Sequence, residues 1–381
     1  MTIVNIDDLR LAARRRLPKL FFDYIDGGSF AEETYRRNRD DFSLLRLRQN
    51  VLNDYAEPDL STEYLGRRHP LPFMLGPVGF LGLYTRNGEQ KAAIAAHAAG
   101  IPFCLSTFSI ASLADLRSAT DGALHFQLYV LDDRTLCEEF LSAAEEADVE
   151  ALYVTVDTAI TAIRERDVRN GFRSLTHITP RLFASLCRKP AWLFDVGRGG
   201  MPSVRAVEHR TDFGRGALEQ AANLSRRIDK KLAWKDIEAL RDRWKGKLVI
   251  KGILSPEDAT KAQAVGVDGI VVSNHGGRQL DGAMSTIAAL PDIRSAVGPD
   301  FTLMLDGGVR RGSDIVKAIG LGADGVMLGR AYTYGLAAAG QAGVDRAIET
   351  LRREISITLA LMGVGSIADL KERGSHLILK Q

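Results

Sequence analysis

Short, nearly continuous apolar runs recur along the chain, separated by charged stretches of helical character. The runs at 72–78 (PFMLGPV), 102–107 (PFCLST), 125–130 (HFQLYV) and 151–156 (ALYVTV) predict four strands. Four more are predicted at 247–251 (KLVIK), 269–273 (GIVVS), 301–305 (FTLML) and 325–328 (GVML). Strands that do not alternate apolar with polar are buried on both faces, as in parallel sheets covered by helices. Eight such strands alternating with helices predict an α/β fold, a closed (β/α)8 TIM barrel. A doubly wound open sheet is the alternative, but no GxGxxG motif follows the first strand. A repeat favours the barrel: GVDGIVVSNHGG from 266 matches GADGVMLGRAYT from 322, and LVIKGILSPEDA matches LMLDGGVRRGSD upstream in the same register.

At the N-terminus, Ile6, Leu9, Ala13 and Leu17 fall at helical spacing and predict an amphipathic helix. Asp7 and Asp8, with no apolar core after them, argue against a signal peptide. No apolar run is long enough to span a bilayer. The expected organisation is one unit over 1–381. It comprises an N-terminal helical segment to about residue 60, a barrel from about 70 to 365, and an insertion after strand 4 at about 171–215.

That insertion changes the picture. Residues 173–210 carry Arg173, Arg181, Arg188, Lys189, Arg198, Arg205 and Arg210 against Asp195 and Glu208, a net charge of +5. Leu182, Trp192, Leu193 and Phe194 are interleaved. The composition suits a membrane surface or an acidic partner; a solvated excursion packed on the barrel or on another subunit is the plainer reading. Elsewhere the balance is ordinary: 45% hydrophobic, 26% charged, net +2, with no case for nucleic-acid binding. Cys104, Cys137 and Cys187 form no CxxC pair, so neither a disulfide framework nor a metal site is expected, and a reduced cytoplasmic setting fits.

In a barrel the chemistry sits at the C-terminal ends of the strands. Here those ends carry GPVGF after strand 1, Ser106 and Thr107, Gln127 and Tyr129, Thr155 and Asp157 with Arg164 beyond, and Lys251. Ser273, Asn274, His275 and Arg278 follow strand 6, DGGVRRG follows strand 7 and Gly329-Arg330 strand 8. Glycines with Arg310 and Arg330 at the last two ends suit a phosphoryl group. Gln127, Thr155, Lys251 and Ser273 suit the polar edge of a flat heterocycle. Tyr24, Tyr129, Arg164 and Arg278 could hold a carboxylate. His275 is the group that ordinarily titrates near neutrality, and Asp157 could orient it. A non-catalytic phosphate-binding barrel would need no such base.

SNHGGRQLDG resembles the signature of the FMN-dependent α-hydroxy-acid oxidising enzymes. The likeness extends through FDYIDGGS, FQLYV, TVD, RERDVRNGF, VIKGI, DGGVRRG and LGR, in order along the whole chain. PVGFLGLYTRNGE, AWKDIEALR and AGQAGV are most similar to the quinone-linked L-lactate dehydrogenases of that family. The resemblance implies an FMN cofactor. Val78 and Gly79 would meet its ring by backbone, Ser106, Gln127, Thr155 and Lys251 its polar edge, and Ser273 the ring or ribityl region. Asp306, Gly307, Gly308, Arg310, Gly329 and Arg330 would hold the ribityl-phosphate. Tyr24, Tyr129, Arg164 and Arg278 would bind the substrate, His275 would be the base, and Phe108 would face the substrate's side chain. The implied reaction is oxidation of an L-2-hydroxy acid, lactate foremost, to the keto acid. Electrons would pass to a quinone or another carrier at the inner face of the membrane, in a homo-oligomer. A mandelate-type dehydrogenase and a peroxide-forming oxidase are the alternatives.

Overall fold

The computed structural model describes residues 2–54, 56–172 and 185–380. Eight parallel strands close into a barrel in sequential order, each bonded to the next and the last to the first. They are β1 (Phe73–Leu75), β2 (Phe103–Ser106), β3 (Leu124–Leu128), β4 (Ala151–Thr155), β5 (Lys247–Ile253), β6 (Gly269–Val272), β7 (Thr302–Leu305) and β8 (Gly325–Leu328). All eight predicted strands are present, most of them shorter than the apolar run.

The barrel interior is filled, not open. Met74, Cys104, Tyr153, Met304 and Met327 point inward and pack in one cluster with Tyr64 and Leu65. Those two come from a hairpin (Thr62–Tyr64 with Arg67–His69) that plugs the N-terminal end. The internal repeat has a physical role at that same end. Asp268 accepts the Leu248 N–H at 2.9 Å and Asp324 the Leu303 N–H at 2.8 Å, each carboxylate satisfying the preceding strand at its start.

Three helices precede the barrel: α1 (Ile6–Arg16), α2 (Lys19–Asp26) and α3 (Glu33–Ser43). Asn5 caps α1 by accepting the Asp8 N–H at 2.9 Å, and Ile6, Leu9, Ala13 and Leu17 are buried as their spacing predicts. Arg16 donates to the carbonyls of Tyr84 and Ala337, so the helical segment is bolted across the strand ends. One apolar cluster runs from Ile6 to Ile378, joining N-terminal segment, barrel and insertion.

The described part of the insertion is docked rather than free. Trp192 is buried, tilts against Phe21 with centroids 5.1 Å apart, and donates its indole N–H to Leu83 O at 2.9 Å. Asp195 pairs with Arg16 and accepts from Thr85, and Lys189 donates to the carbonyls closing α1. Leu193, Phe194 and Met201 remain exposed. Arg173, Arg181 and Leu182 lie outside the described residues. Among the described residues, no helix is long and apolar enough to cross a membrane. Replacing Trp192 with Ala should destabilise the chain by about 3 kcal/mol, the usual cost of truncating a buried aromatic. A urea midpoint shifted to lower concentration at unchanged slope would register it.

Candidate active site

β6 ends at Val272, and the next residues turn sharply out of the barrel. His275, Gly276 and Gly277 have φ of +56°, +64° and +72°, three left-handed residues in succession. A Cβ on Gly277 would lie 2.5 Å from the Tyr35 N, and one on Gly276 would lie 2.6 Å from Arg330 Nη1. The glycines of NHGG are therefore required first by contact with α3 and Arg330, a constraint invisible in the motif itself. Asn274 locks the turn. It exchanges amide bonds with Asn38 at 2.8 Å each way, and its Oδ1 also accepts the Gly277 N–H at 3.1 Å. His275 is strained but not loose, since its own N–H reaches Ser273 Oγ at 3.1 Å.

His275 Nδ1 lies 2.9 Å from Asp157 Oδ1, and its Nε2 lies 3.5 Å from the Tyr129 hydroxyl. An ionised carboxylate can only accept, so Asp157 holds the proton on Nδ1 and leaves the Nε2 lone pair toward the cavity. Burial pulls His275 below its ordinary pKa; Asp157 opposes this, while Lys251 and Arg164 reinforce it. The imidazole is thus neutral at pH 7. Burial alone would raise Asp157, but His275 and Lys251 outweigh it and keep the carboxyl ionised. Tyr129 is pushed up by burial and by Asp157, so its phenol stays a donor.

The strand ends surround a cavity of about 470 Å³, bordered by Tyr24, Val78, Gly79, Ser106, Phe108, Gln127, Tyr129, Thr155, Arg164, Lys251, His275 and Arg278, and by the loops after β7 and β8. Inside it, Gln127 Nε2, Thr155 Oγ1, Asp306 Oδ1 and Arg310 Nε are buried without a hydrogen-bond partner. Buried polar atoms are rarely left so, and these four await a ligand. Ser106 donates to Gln127 Oε1 at 2.9 Å, which turns the amide N–H toward the cavity. Lys251 Nζ contacts Ser273 Oγ at 2.8 Å and Asp306 Oδ2 at 3.0 Å. Burial opposes its charge, but Asp306 and Asp157 prevail, and it stays cationic. At the opposite end Gly308 (φ +82°) passes so close to α3 that a Cβ would lie 1.8 Å from Asn38 O. Among the described residues, Arg278, Arg310 and Arg330 have no carboxylate within ion-pair distance. Burial, with Arg278 nearby, pulls Arg330 below its ordinary value. Arg310 is buried and Arg278 and Arg330 half-buried, and guanidinium groups withdrawn from water without acids call for anionic ligands. A flat ring with a polar edge and a phosphate tail, as in FMN, fits this set.

Tyr24 stands beside two cations, with Arg278 4.8 Å and Arg164 5.9 Å from its ring centroid, and Phe172 stacks on it at 4.3 Å. Arg278 also donates to the carbonyls of Tyr24 and Gly27. Phe108 meets Tyr129 edge-on at 5.1 Å. Most of the expected site residues therefore converge on one cavity, with differences of position. Ser273 and Asp157 do not border it; they stand behind Lys251 and His275 and orient them. Arg330 lines the cavity but directs N–H groups to the carbonyls of Ile25, Gly276 and Gly27, tying α2 to the NHGG turn. Sequence reasoning missed Gln279, which donates to Asp157 O at 2.7 Å and Ile160 O at 2.9 Å and so fixes the loop bearing the histidine's partner. It lies within the quoted motif, but its residue type gave no sign of that role.

The family model for FMN-dependent dehydrogenases matches residues 13–377. The chain is 45% identical to the L-lactate dehydrogenase of Caulobacter vibrioides over 98% of its length and 97% of that protein. It is 44% identical to that of Serratia proteamaculans, covering 97% of each. Among solved structures, the monotopic membrane protein (S)-mandelate dehydrogenase superposes with a TM-score of 0.95 at 38% identity over the full length of both chains. A mandelate oxidase with (S)-4-hydroxymandelic acid gives 0.84 at 34% identity, over 97% of this chain and 98% of that one. The barrel, the cavity and these likenesses agree, and the chain belongs to the FMN-dependent dehydrogenases, with FMN as its cofactor.

Proposed function

We propose that this enzyme oxidises an L-2-hydroxy acid, L-lactate in the first place, to the 2-keto acid and passes the electrons to a quinone or a similar carrier. The observation that carries the reading is the pairing of an unprotonated imidazole Nε2, backed by Asp157 and next to the Tyr129 hydroxyl, with a cluster of two arginines and two tyrosines. Oxidising R–CH(OH)–COO⁻ to R–CO–COO⁻ removes two electrons and two protons. A base takes one proton, the acceptor takes the electrons with the other, and a clamp holds the carboxylate; base and clamp are the groups at hand. FMN supplies the two-electron acceptor when bound.

The chain's own residues would divide the work as follows. Arg164 and Arg278 pair with the substrate carboxylate, and the Tyr24 and Tyr129 hydroxyls complete its cradle. His275 Nε2 takes the proton, and Asp157 stabilises the imidazolium that forms. Lys251, held cationic by Asp306, stabilises negative charge developing at the polar edge of the cofactor. Gln127, Thr155 and Ser106 hold that edge, with Val78 and Gly79 along the ring. Arg310, Arg330, Gly307, Gly308 and Gly329 take the phosphate end. Phe108 and Ile160 border the space left for the side chain. L-Lactate is supported by the names of the relatives; the mandelate enzymes among the structural neighbours support a mandelate-type acid as the second reading.

Anaerobic mixing of the FMN-loaded enzyme with L-lactate should bleach the flavin absorbance. Bleaching by L-mandelate alone would replace the substrate, and bleaching by no hydroxy acid would remove the reading. Recovery should be slow in air and fast with an added quinone; rapid recovery with stoichiometric peroxide would make the enzyme an oxidase.

His275→Gln should lower kcat about 10³-fold with FMN retained, in the range expected for loss of a general base. Because His275 titrates below its ordinary value, kcat/KM should be flat through pH 7 and fall only on the acid side, below pH 6.5. Asp157→Asn removes the charge that favours imidazolium. Its acid limb should move to lower pH while kcat drops about 10²-fold or more. A limb that stays in place would assign the titration to another group.

Peripheral contact with a membrane would bring a quinone within reach. Its support is the exposed Leu193, Phe194 and Met201 beside Arg188 and Arg198, and the monotopic neighbour. Flotation with phosphatidylglycerol vesicles should carry the enzyme, and substitution of those three apolar residues by Ser should leave it in the soluble fraction. Equal partition of both proteins would end the membrane proposal.

A further inference from the structure

Arg166 does not border the cavity, yet it ties together the two segments that do. Its Nη1 donates to Asp26 Oδ2 at 3.0 Å and its Nη2 to Glu32 Oε2 at 2.5 Å. Asp26 is 1% exposed and already accepts two N–H groups of Arg10 and the Tyr334 hydroxyl. Burial would raise this carboxyl, but Arg10 and Tyr334 hold it well below its ordinary range. The charge of Asp26 is thus answered without Arg166. Glu32 likewise has its own employment, accepting the Gly28 N–H at 2.9 Å.

What Arg166 adds is a bridge. It is the second residue of the short helix Glu165–Asn170, two places after Arg164, and it reaches across to the segment that carries Tyr24. Its stem packs against Gly27, where a Cβ would lie 3.3 Å from Arg166 Cδ. The Gly27 carbonyl in turn accepts from both Arg278 and Arg330. Parallel ties join the same two segments: Phe30 N–H to Ile163 O at 2.9 Å, and Asn170 to Asp23 at 2.7 Å. We infer that Arg166, through Asp26 and Glu32, is a positioning residue that holds Arg164 and Arg278 in place beside Tyr24 and so shapes the carboxylate clamp. The inference rests on the clamp proposed above.

Charge-assisted bonds on a side chain that is one-third exposed contribute modestly to stability, but they fix geometry to a fraction of an ångström. Displacing a binding group by about 1 Å is costly to recognition. In FMN-loaded Arg166→Gln, KM for L-lactate should rise about 10-fold while kcat stays within about threefold, the pattern of binding lost equally from ground and transition states. The Kd for pyruvate, read from the flavin absorbance without turnover, should weaken in parallel. The melting temperature and FMN content should remain near those of the wild type. Arg166→Lys, keeping one leg, should recover part of the loss, and Glu32→Gln should shift KM in the same direction but not additively with Arg166→Gln. Unchanged KM and pyruvate Kd in Arg166→Gln would overturn the inference, as would a KM rise matched by loss of FMN and of folding. A wild type reduced by no 2-hydroxy acid would overturn the clamp reading and this inference together. A reducible wild type with an indifferent Arg166→Gln overturns the inference alone.

Discussion

The whole site depends on one backbone constraint, the left-handed run that turns the chain out of β6. His275 is held at φ +56°, which a residue with a Cβ tolerates only when its surroundings impose it. The imposing groups are specific: Asn38 against Asn274, Tyr35 against Gly277, and Arg330 against Gly276. Two of the three lie on α3, outside the barrel. The N-terminal helices are thus part of the active site's frame. An isolated β6 would have no reason to present its imidazole toward Asp157.

A second constraint is electrostatic. Lys251, Arg278, Arg310 and Arg330 all line the one cavity, and among the described residues Lys251 alone of these has a carboxylate in contact. Cations taken out of water without acids cost stability unless something else solvates them. Backbone carbonyls do part of this, at Tyr24, Ile25, Gly27, Gly276 and Val309. The remainder falls to ligands carrying negative charge at two separate places, a phosphate near Arg310 and a carboxylate near Arg278. His275 is lowered first by burial and then by Lys251 and Arg164, so groups that attract the cofactor and the substrate also help keep the base ready. One arrangement serves both ends.

Much of this was legible in the sequence, for reasons that can be named. Strands buried on both faces leave unbroken apolar runs, and a polar residue at the end of such a run has little reason to be there except the mouth. Lys251, Gln127, Thr155 and His275 were found that way. What could not be read is whether a residue at the mouth faces the cavity or stands behind its neighbour. Ser273 and Asp157 are one layer back, and Arg330 spends donors on backbone carbonyls. These assignments depend on side-chain direction across strands, which neither periodicity nor motif encodes. Gln279, Asp26 and Arg166 were missed for a related reason: their partners are distant in sequence, and each is an ordinary residue until those partners are placed.

The insertion marks the limit of counting charge along a chain. Over 173–210 the sequence carries a net +5, which taken alone would make a strongly attractive surface for anions. Folding changes the sum. Arg210 meets Asp133 and Asp212, Arg205 meets Glu208 and Asp115, and Lys189 is drawn to the carbonyls at the end of α1. Three of those acids, Asp115, Asp133 and Asp212, lie outside the segment, where a local count misses them. The cations left facing solvent among the described residues are Arg188 and Arg198, the latter 3.7 Å from the ring of the exposed Phe194. A membrane contact built here would draw on apolar side chains at least as much as on charge. It would therefore weaken less with salt than the composition suggests, since screening acts on the charges and not on buried apolar area.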